Sequence, residues 1–278
     1  MKKIISFILI LVLLLCSCGT PPTNEAPAPQ RDEIIIALLD TGISTVAIQS
    51  PQLIQGWNYV TGSADTEDRI NHGTSVASVI LGCESAGITG AAPDIRVVPL
   101  VVTDKINGAM VSVSAEVLAQ AIRDSVDKFG ASIINISLGI KKDDDALSEA
   151  IDYVQAKGAL VVSAVGNEGA STDLYYPAAY DGVLGVGSHD KNSKVSDFTQ
   201  QNGTADILAP GEDIWLASRK GKTYGARGTS YSTGYVSAAC ALIWQQDLSL
   251  TVDEVIQALL SSAQEAEDWL ILNIPALP

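Results

Sequence analysis

Three segments of the sequence carry side chains that can transfer protons or attack a carbonyl carbon. Asp40 directly follows the apolar run of "IIIALLDTGIS", and His72 opens the small and apolar part of "NHGTSVASVILG". Ser230 lies near the start of "RGTSYSTGYVSAACALI", residues 227–243. After Arg227 the next charged residue is Asp247, beyond the end of this stretch. A serine hydroxyl becomes a nucleophile when a histidine removes its proton, and a carboxylate can orient that histidine. Together the three residue types suit nucleophilic attack on a carbonyl group.

Each of the three residues also has a plain structural interpretation. Asp40 would serve as a turn aspartate, His72 as a surface or capping histidine, and Ser230 as a helix cap, which is the usual role of a serine at such a position. Asp-Thr-Gly also occurs in aspartic proteases, which need two such aspartates, and the chain contains no second Asp-Thr-Gly or Asp-Ser-Gly. A homodimer would supply the second, but the α/β pattern described next argues against that fold. The other histidine, His189, lies in a polar turn and is expected to be structural or exposed.

The pattern of apolar runs and helices predicts how these segments are positioned. Continuous apolar runs of strand length alternate with helical patterns, which indicates a parallel sheet covered on both faces. We therefore predict a single α/β domain with a doubly wound, mostly parallel sheet flanked by helices on both faces. Functional groups should lie beyond the carboxyl ends of its strands. The predicted strands are Ile34–Leu39, Ile95–Val102, Ser132–Leu138, Ala159–Val165 and Val183–Val186, and the predicted helices are Thr74–Leu81, Ala115–Phe129 and Ala146–Lys157.

The order Asp, His, Ser and the motifs "DTGI", "HGTSVA" and "GTSYST" resemble the subtilisin-like serine proteases. "INISLG", residues 134–139, resembles the substrate-binding strand of that family, and "SAVGNEG", residues 163–169, resembles its oxyanion-hole segment. The resemblance implies that His72 is the general base, that Asp40 orients its imidazole, and that Ser230 is the nucleophile. It also implies that the Ser230 backbone N–H and the Asn167 side-chain amide bind the oxyanion.

The resemblance further implies where a peptide substrate binds. The peptide is expected to lie as an extended strand along exposed edges at Ser137–Gly139 and around Asn107–Ala109. Tyr175 is expected at the base of the pocket for the side chain before the cut, where the family often has a small residue. It predicts a shallow pocket that disfavours large aromatic side chains, whereas Glu168 near the rim would favour a basic group. The expected walls of this pocket are Ser137, Leu138, Gly139, Ala164 and Gly166.

Three features depart from the family pattern. Tyr231 follows the nucleophile where the family usually has Met, which changes packing at the helix start but removes no catalytic group. The loop Gly82–Gly90 is shorter than a loop that binds calcium in many relatives and lacks an Asn, which puts the family-typical calcium site in doubt. Calcium stays open, and we expect no other cofactor. Relatives usually carry a folding-assistant segment, whereas the residues before Ile34 read as a tether. The domain would then fold unaided, fold with a separate helper protein, or be little active, and the three intact motifs favour the first two.

The N-terminus resembles a bacterial lipoprotein signal. Lys2 and Lys3 precede an apolar run, Ile4–Leu15, which is too short to span a bilayer comfortably, and "LCSCGT" resembles a lipobox. The resemblance implies cleavage after Ser17 and lipid on Cys18, although an ordinary secretory signal or an uncleaved anchor would also explain the run. We predict a signal peptide at 1–17, a lipid-anchored Pro-rich tether at 18–31 and a peptidase domain at 32–278. Acylation would hold the protein on the outer side of a bacterial cytoplasmic or outer membrane.

Composition narrows the range of partners. The formal net charge is −15, whereas nucleic-acid binding requires clustered Lys and Arg, so no nucleic acid is expected to bind. Cys83 and Cys240 follow the lipobox, and a disulfide between them stays open, although apolar-flanked cysteines are more often buried thiols. From the resemblance to the protease family, we expect a monomeric endopeptidase that performs limited processing of secreted peptides or proteins. Bacteriocin leader peptides are a candidate substrate only by analogy with some relatives, which remove such leaders. The alternative is a non-catalytic lipoprotein that binds peptides in the same groove.

Overall fold

The computed structural model describes residues 31–273, and within them it contains fifteen strands and five α-helices. The predicted signal peptide, Cys18 and residues 19–30 of the tether lie outside this range. The strands are β1 Ile35–Asp40, β2 Trp57–Asn58, β3 Gly82–Cys83, β4 Ile88–Thr89, β5 Arg96–Val101, β6 Thr103–Ile106, β7 Ala109–Ser112, β8 Ile133–Ile136, β9 Leu160–Ala164, β10 Leu184–His189, β11 Ile207–Pro210, β12 Ile214–Ala217, β13 Thr223–Ala226, β14 Gln264–Ala266 and β15 Trp269–Ile271. The helices are α1 His72–Leu81, α2 Ala115–Asp127, α3 Asp145–Ala156, α4 Thr229–Gln246 and α5 Val252–Ser262. From residue 31 to residue 273, no helix combines the length and the apolar character that crossing a bilayer requires.

Nine strands form one sheet in the order β14-β15-β11-β10-β9-β8-β1-β5-β2. Every neighbouring pair is parallel except β14 with β15. β1 lies between β5 and β8, so the sheet grows outward from β1 in both directions. Such a reversal of strand order opens a crevice at the carboxyl ends of the strands, and Asp40 is the last residue of β1. The predicted mostly parallel α/β fold is confirmed.

The two faces of β1 explain its unbroken apolar sequence. Ile36 and Leu38 belong to the core that includes residues of α1 and α4, whereas Ala37 and Leu39 belong to the core that includes residues of α2 and α3. Side chains alternate between the faces of a strand, so a strand covered on both sides needs apolar residues at every position. All six residues of β1 are buried.

The uncharged segment after Arg227 forms α4, which packs against α1, α5 and the central strands. Gly234 allows the close approach to α1, because a Cβ there would lie 3.3–3.4 Å from atoms of Val76 and Val79. Further along the helix, Cys240 and Trp244 have no exposed surface. Thirteen of the 18 residues of α4 are buried, and a charged side chain at one of those positions would lose its hydration, which is unfavourable and accounts for the composition of the segment.

All eight predicted elements are present, with ends displaced by at most three residues. The sequence patterns did not indicate α5 or the hairpins β3–β4, β6–β7 and β12–β13. Two of these hairpins are short or exposed, so their residues lack the alternation that burial of one face imposes. Cys83 and Cys240 are both buried and both free, so the disulfide left open by the sequence is not formed.

Candidate active site

The structure brings Asp40 and His72 together at the carboxyl end of the sheet. His72 is the first residue of α1, and its imidazole Nδ1 lies 2.8 Å from Oδ1 and 3.0 Å from Oδ2 of Asp40. The carboxylate is buried, and its Oδ1 also accepts the Thr41 backbone N–H at 2.7 Å. A carboxylate in this position favours a proton on Nδ1 and leaves Nε2 free to accept one.

Asp68, which the sequence patterns did not single out, ties these two segments together. Its fully buried carboxylate accepts a hydrogen bond from the Thr41 hydroxyl at 3.0 Å, and Thr41 in turn accepts the Gly73 backbone N–H at 2.8 Å. The loop after β1 is thereby held against the first turn of α1. The same carboxylate accepts further hydrogen bonds, at 2.6–2.9 Å, from Ile70, Asn71 and Thr74.

Burial and two nearby carboxylates set the pKa of His72. The His72 side chain is 32% exposed, and its partial burial by itself lowers the pKa, but the charge and hydrogen bond of Asp40 and the charge of Asp68 act in the opposite direction. The net result is a pKa above the ordinary value of 6.5. Because a general base must be neutral, we expect activity to be lost as the pH falls through this raised pKa.

Ser230 is the second residue of α4, which starts after Gly228 at φ 153°. The unpaired backbone N–H groups of a helix start favour a developing negative charge. The Ser230 hydroxyl donates to the Ser137 carbonyl oxygen at 3.1 Å and makes no hydrogen bond to His72 in the part of the chain described. The next side chain, Tyr231, contacts His72 with ring centroids 5.6 Å apart. Nucleophile and base therefore stand at adjacent helix starts, and proton transfer requires the hydroxyl to turn from Ser137 to His72.

Asn167 lies beside the start of α4 with its amide orientation fixed. Its Oδ1 accepts hydrogen bonds from the backbone N–H and the hydroxyl of Thr229, at 2.9 and 3.1 Å. Among residues 31–273, no partner takes up its Nδ2, which lies 3.9 Å from the position that a Cβ on Gly228 would occupy. The Nδ2 donor and the backbone N–H of Ser230 are therefore available to a shared oxyanion.

A cavity of about 290 Å³ opens beside Ser230 and Asn167. Tyr175 closes it. Its ring atom Cδ1 lies 3.0 Å from the point that a Cβ on Gly139 would occupy, and Cδ2 lies 3.0 Å from the corresponding point at Gly166. The phenol ring thus occupies the width between two glycine walls. All six residues that the sequence placed around the pocket line this cavity. The full lining is Ser137, Leu138, Gly139, Ala164, Gly166, Asn167, Glu168, Tyr175, Thr229 and Ser230.

Glu168 at the rim of this cavity is already paired. Its Oε1 accepts the Tyr175 hydroxyl at 2.7 Å, and its Oε2 accepts Lys141 Nζ at 2.8 Å. Lys141 also lies 3.0 Å from Asp173. The pairing lowers the pKa of Glu168 and raises the pKa of Lys141. This pairing argues against the expectation that Glu168 attracts a basic side chain, and it leaves the shallow-pocket expectation from Tyr175 in place.

Comparison with known proteins decides the family. The model of the subtilase family matches residues 31–274. The chain belongs to the subtilase family. Its resemblance to the subtilisin-like serine proteases is thereby confirmed. Subtilisin Savinase from Lederbergia lenta is 36% identical over 218 residues, which cover 77% of this chain and 77% of that protein. An alkaline protease from Alkalihalobacillus alcalophilus is also 36% identical over 218 residues, but this chain spans only 54% of its length.

Solved structures with the same fold include a protease domain, a maturation protease and a leader peptidase. A mutant of the protease domain of PatA has a TM-score of 0.76 at 30% identity, with 88% of this subtilase and 93% of that chain covered. The prenylagaramide maturation protease PagA has a TM-score of 0.72 at 30% identity, with 90% and 94% covered. The nisin leader peptidase NisP from Lactococcus lactis shares the fold, with a TM-score of 0.73 at 23% identity and 91% and 88% covered.

The two segments expected to pair with an extended substrate, Ser137–Gly139 and the segment around 107–109, differ in their backbone conformation. Within the described chain, the backbone groups of Leu138 and Gly139 make no backbone hydrogen bonds, and regular pairing resumes at Ile140 with Tyr176. This first edge is therefore free to pair with an extended peptide. In the second segment, Asn107 at φ 50° and Gly108 at φ 86° form the turn between β6 and β7, and Ala109 is the first residue of the exposed strand β7. The extended part of this segment is therefore limited to β7, and substrate binding along it stays a prediction.

The loop that replaces the calcium-binding loop forms a small hairpin. Gly82–Cys83 pairs with Ile88–Thr89 around a single 3₁₀ turn. Calcium takes about six to eight oxygen ligands, and the only carboxylate of this loop belongs to exposed Glu84, so its residues fit the ion poorly. Across residues 31–273, no three or more His, Cys, Asp or Glu side chains are grouped so as to hold a metal ion. Independence from calcium stays a prediction.

Two contributors to the site lacked a usable signal in the sequence. Asp68 lies in "TEDRIN", where charged neighbours suggest an exposed loop rather than a buried carboxylate. Lys141 lies in "KKDDD", which reads as a solvated charge run, yet it reaches Glu168 across 27 residues of sequence. Both depend on contacts between distant segments.

Proposed function

We propose that this protein is a serine endopeptidase that hydrolyses peptide bonds through an acyl-enzyme. The observation that carries the proposal is the hydrogen bond between Asp40 and His72, whose imidazole lies 5.6 Å from the ring of Tyr231, the residue after Ser230. Ser230 and Asn167 in turn line one cavity. In the first step Ser230 Oγ bonds to the substrate carbonyl carbon while its proton passes to His72 Nε2, and the carbonyl oxygen becomes an oxyanion. The Ser230 backbone N–H and Asn167 Nδ2 would bind that oxyanion.

Collapse of the oxyanion breaks the peptide bond, and His72 returns the proton to the leaving amine. Water then enters, His72 removes one of its protons, and hydrolysis of the ester releases the acid and restores the Ser230 hydroxyl. The Asp40 carboxylate stabilises the imidazolium that forms in each half-reaction. The reaction needs no cofactor.

We infer limited processing of secreted peptides or proteins as the biological role, with bacteriocin leader peptides as one class of substrate. The similarity to PagA, whose name describes a maturation protease, supports this role, and the fold shared with the nisin leader peptidase agrees with it. A narrow pocket beside Tyr175 also suits selective cleavage rather than general degradation. The protein would act as a monomer held by lipid on Cys18 at the outer face of a bacterial membrane.

Labelling with a fluorophosphonate tests the catalytic proposal. The wild-type protein should react once per molecule, and Ser230→Ala should abolish the label while leaving the unfolding midpoint nearly unchanged, because only a hydroxyl is lost. A folded wild-type protein that stays unlabelled and cleaves no peptide would support the peptide-binding alternative instead.

The membrane proposal has a separate test. The full chain expressed in a bacterium should incorporate an alkyne-bearing fatty acid and sediment with membranes, and Cys18→Ala should lose both properties. Cys83→Ala serves as the matched control, because that thiol is buried inside the domain. Release of the wild-type chain into the medium would contradict the anchor.

A further inference from the structure

Tyr231, the residue that follows the nucleophile, faces the catalytic histidine. The Tyr231 and His72 rings lie with centroids 5.6 Å apart and planes tilted by 34°. Tyr231 is 8% exposed, and its Cε2 lies 3.6 Å from the position of a Cβ on Gly228. The phenol therefore fills the space between the start of α4 and one side of the imidazole.

Tyr224 neighbours Tyr231 and is hydrogen-bonded to residues at the start of α1. Burial and the neighbouring Tyr224 phenol both raise the pKa of Tyr231, so it stays neutral at ordinary pH. The Tyr224 hydroxyl lies 2.7 Å from Ser75 Oγ and accepts a hydrogen bond from Asn71 Nδ2 at 3.0 Å. Asn71 directly precedes His72 and has φ 121°, a strained value for a side-chain-bearing residue. The contacts thus run from one side of the imidazole, through two phenols, to its own backbone.

We propose that Tyr231 is a positioning residue that holds the His72 ring against Asp40 and stabilises its protonated form during catalysis. This inference rests on the proposed function. When Ser230 attacks, its proton moves to His72 and the imidazole becomes a cation. A cation within about 6 Å of an aromatic centroid is attracted to the ring, whereas a neutral imidazole gains much less. The stabilisation therefore arises in the charged state and should affect kcat rather than KM.

The other groups around His72 act alongside this contact. Asp40 at the end of β1 supplies the nearest negative charge, and Asp68 in the loop before α1 supplies a second. From α4 and β13 come neutral groups, Ser230, Tyr231 and Tyr224. The aromatic contact is therefore an addition to a larger effect of the two carboxylates. We expect its loss to lower kcat by about two- to tenfold.

Two substitutions separate the ring from its hydroxyl. Tyr231→Leu removes the aromatic face but keeps an apolar side chain, so kcat should fall by about two- to tenfold at unchanged KM. The acid limb of kcat/KM should move to lower pH, because the imidazolium has lost a stabilising neighbour. Tyr231→Phe keeps the ring, so its kcat and the acid limb of its kcat/KM profile should stay close to those of the wild type. Tyr235→Leu, four residues further along α4, serves as the control and should change neither quantity.

Titration of the imidazole by NMR gives a readout that does not depend on turnover. The chain has two histidines, so the His72 signals can be assigned by comparison with a His189 variant in a Ser230→Ala background. Tyr231→Leu should lower the pKa of His72 by about 0.3–1 pH unit, and Tyr231→Phe should not. An unchanged titration in a folded Leu variant would overturn the inference, as would a loss of kcat without movement of the acid limb. If the wild type hydrolyses no peptide but the titration moves as expected, only the proposed function fails.

Discussion

The Tyr175 ring should control which side chains precede the cleaved bond. It lies 3.0 Å from the Cβ positions of both Gly139 and Gly166, so a bulky substrate side chain cannot pass between these walls without displacing it. Tyr175→Gly removes the ring and opens the base of the cavity. Lys141 and Glu168 remain paired with each other after this change, so the rim keeps its charge balance.

The size of the effect follows from the apolar surface that the opened pocket could cover. Full burial of a Leu or Phe side chain is worth about 1.5–3 kcal/mol, which corresponds to about ten- to hundredfold in kcat/KM. A substrate with Ala at the same position reaches less far into the pocket and gains little. We therefore expect Tyr175→Gly to raise kcat/KM for the Leu substrate by about tenfold or more relative to the Ala substrate.

The assay compares peptides that differ only in the residue before the cut, Ala, Leu, Phe or Lys, with cleavage sites verified by mass spectrometry. Tyr175→Phe is the matched control, since it keeps the ring and loses only the hydrogen bond to Glu168. The Tyr175→Phe variant should keep the wild-type preference for the residue before the cleaved bond. If the wild type already favours Phe over Ala, or if Tyr175→Gly leaves the ratio unchanged, then the ring does not limit the pocket and the reasoning is refuted.

Four further outcomes are expected. Asp40→Asn removes the charge that raises the pKa of His72, so the acid limb of the residual kcat/KM should move to lower pH; a limb that stays in place would contradict the assigned cause. Asp68→Asn replaces one accepting oxygen with an NH₂ group, which cannot accept the hydrogen bonds that Thr74 donates to it. This change should lower the free energy of unfolding by about 2–4 kcal/mol in urea titrations, and an unchanged midpoint would be the contrary result. Asn167→Ala should reduce kcat by about 10²–10³, a magnitude taken over from the equivalent donor in subtilisin rather than worked out from this structure. A chelator should leave the thermal midpoint within about 2 °C, whereas a large drop on EDTA addition would reveal a calcium site elsewhere.

The sequence indicated Ser230, His72 and Asp40 because each follows a local rule. Asp40 ends an apolar strand, His72 begins a helix of small residues, and Ser230 opens an uncharged helix. In a parallel sheet the carboxyl ends of the strands and the first turns of the helices that follow them lie on the same side of the molecule, whichever loops join them. The substrate edge around 107–109 was predicted from resemblance alone; there Asn107 and Gly108 form a turn, and the exposed strand β7 begins at Ala109.

The sequence by itself therefore determined the order of the main strands and helices along the chain, the family motifs, and the residues at the ends of these elements. It could do so because burial of both faces of a strand, and the start of a helix, each impose a pattern on consecutive residues. Only the tertiary structure decided that Asp68 is a buried support, that Lys141 is paired with Glu168, and that Tyr231 lies against the imidazole. These features join segments that are far apart in the chain, and the distance between two side chains is set by the packing of whole elements rather than by the residues next to them.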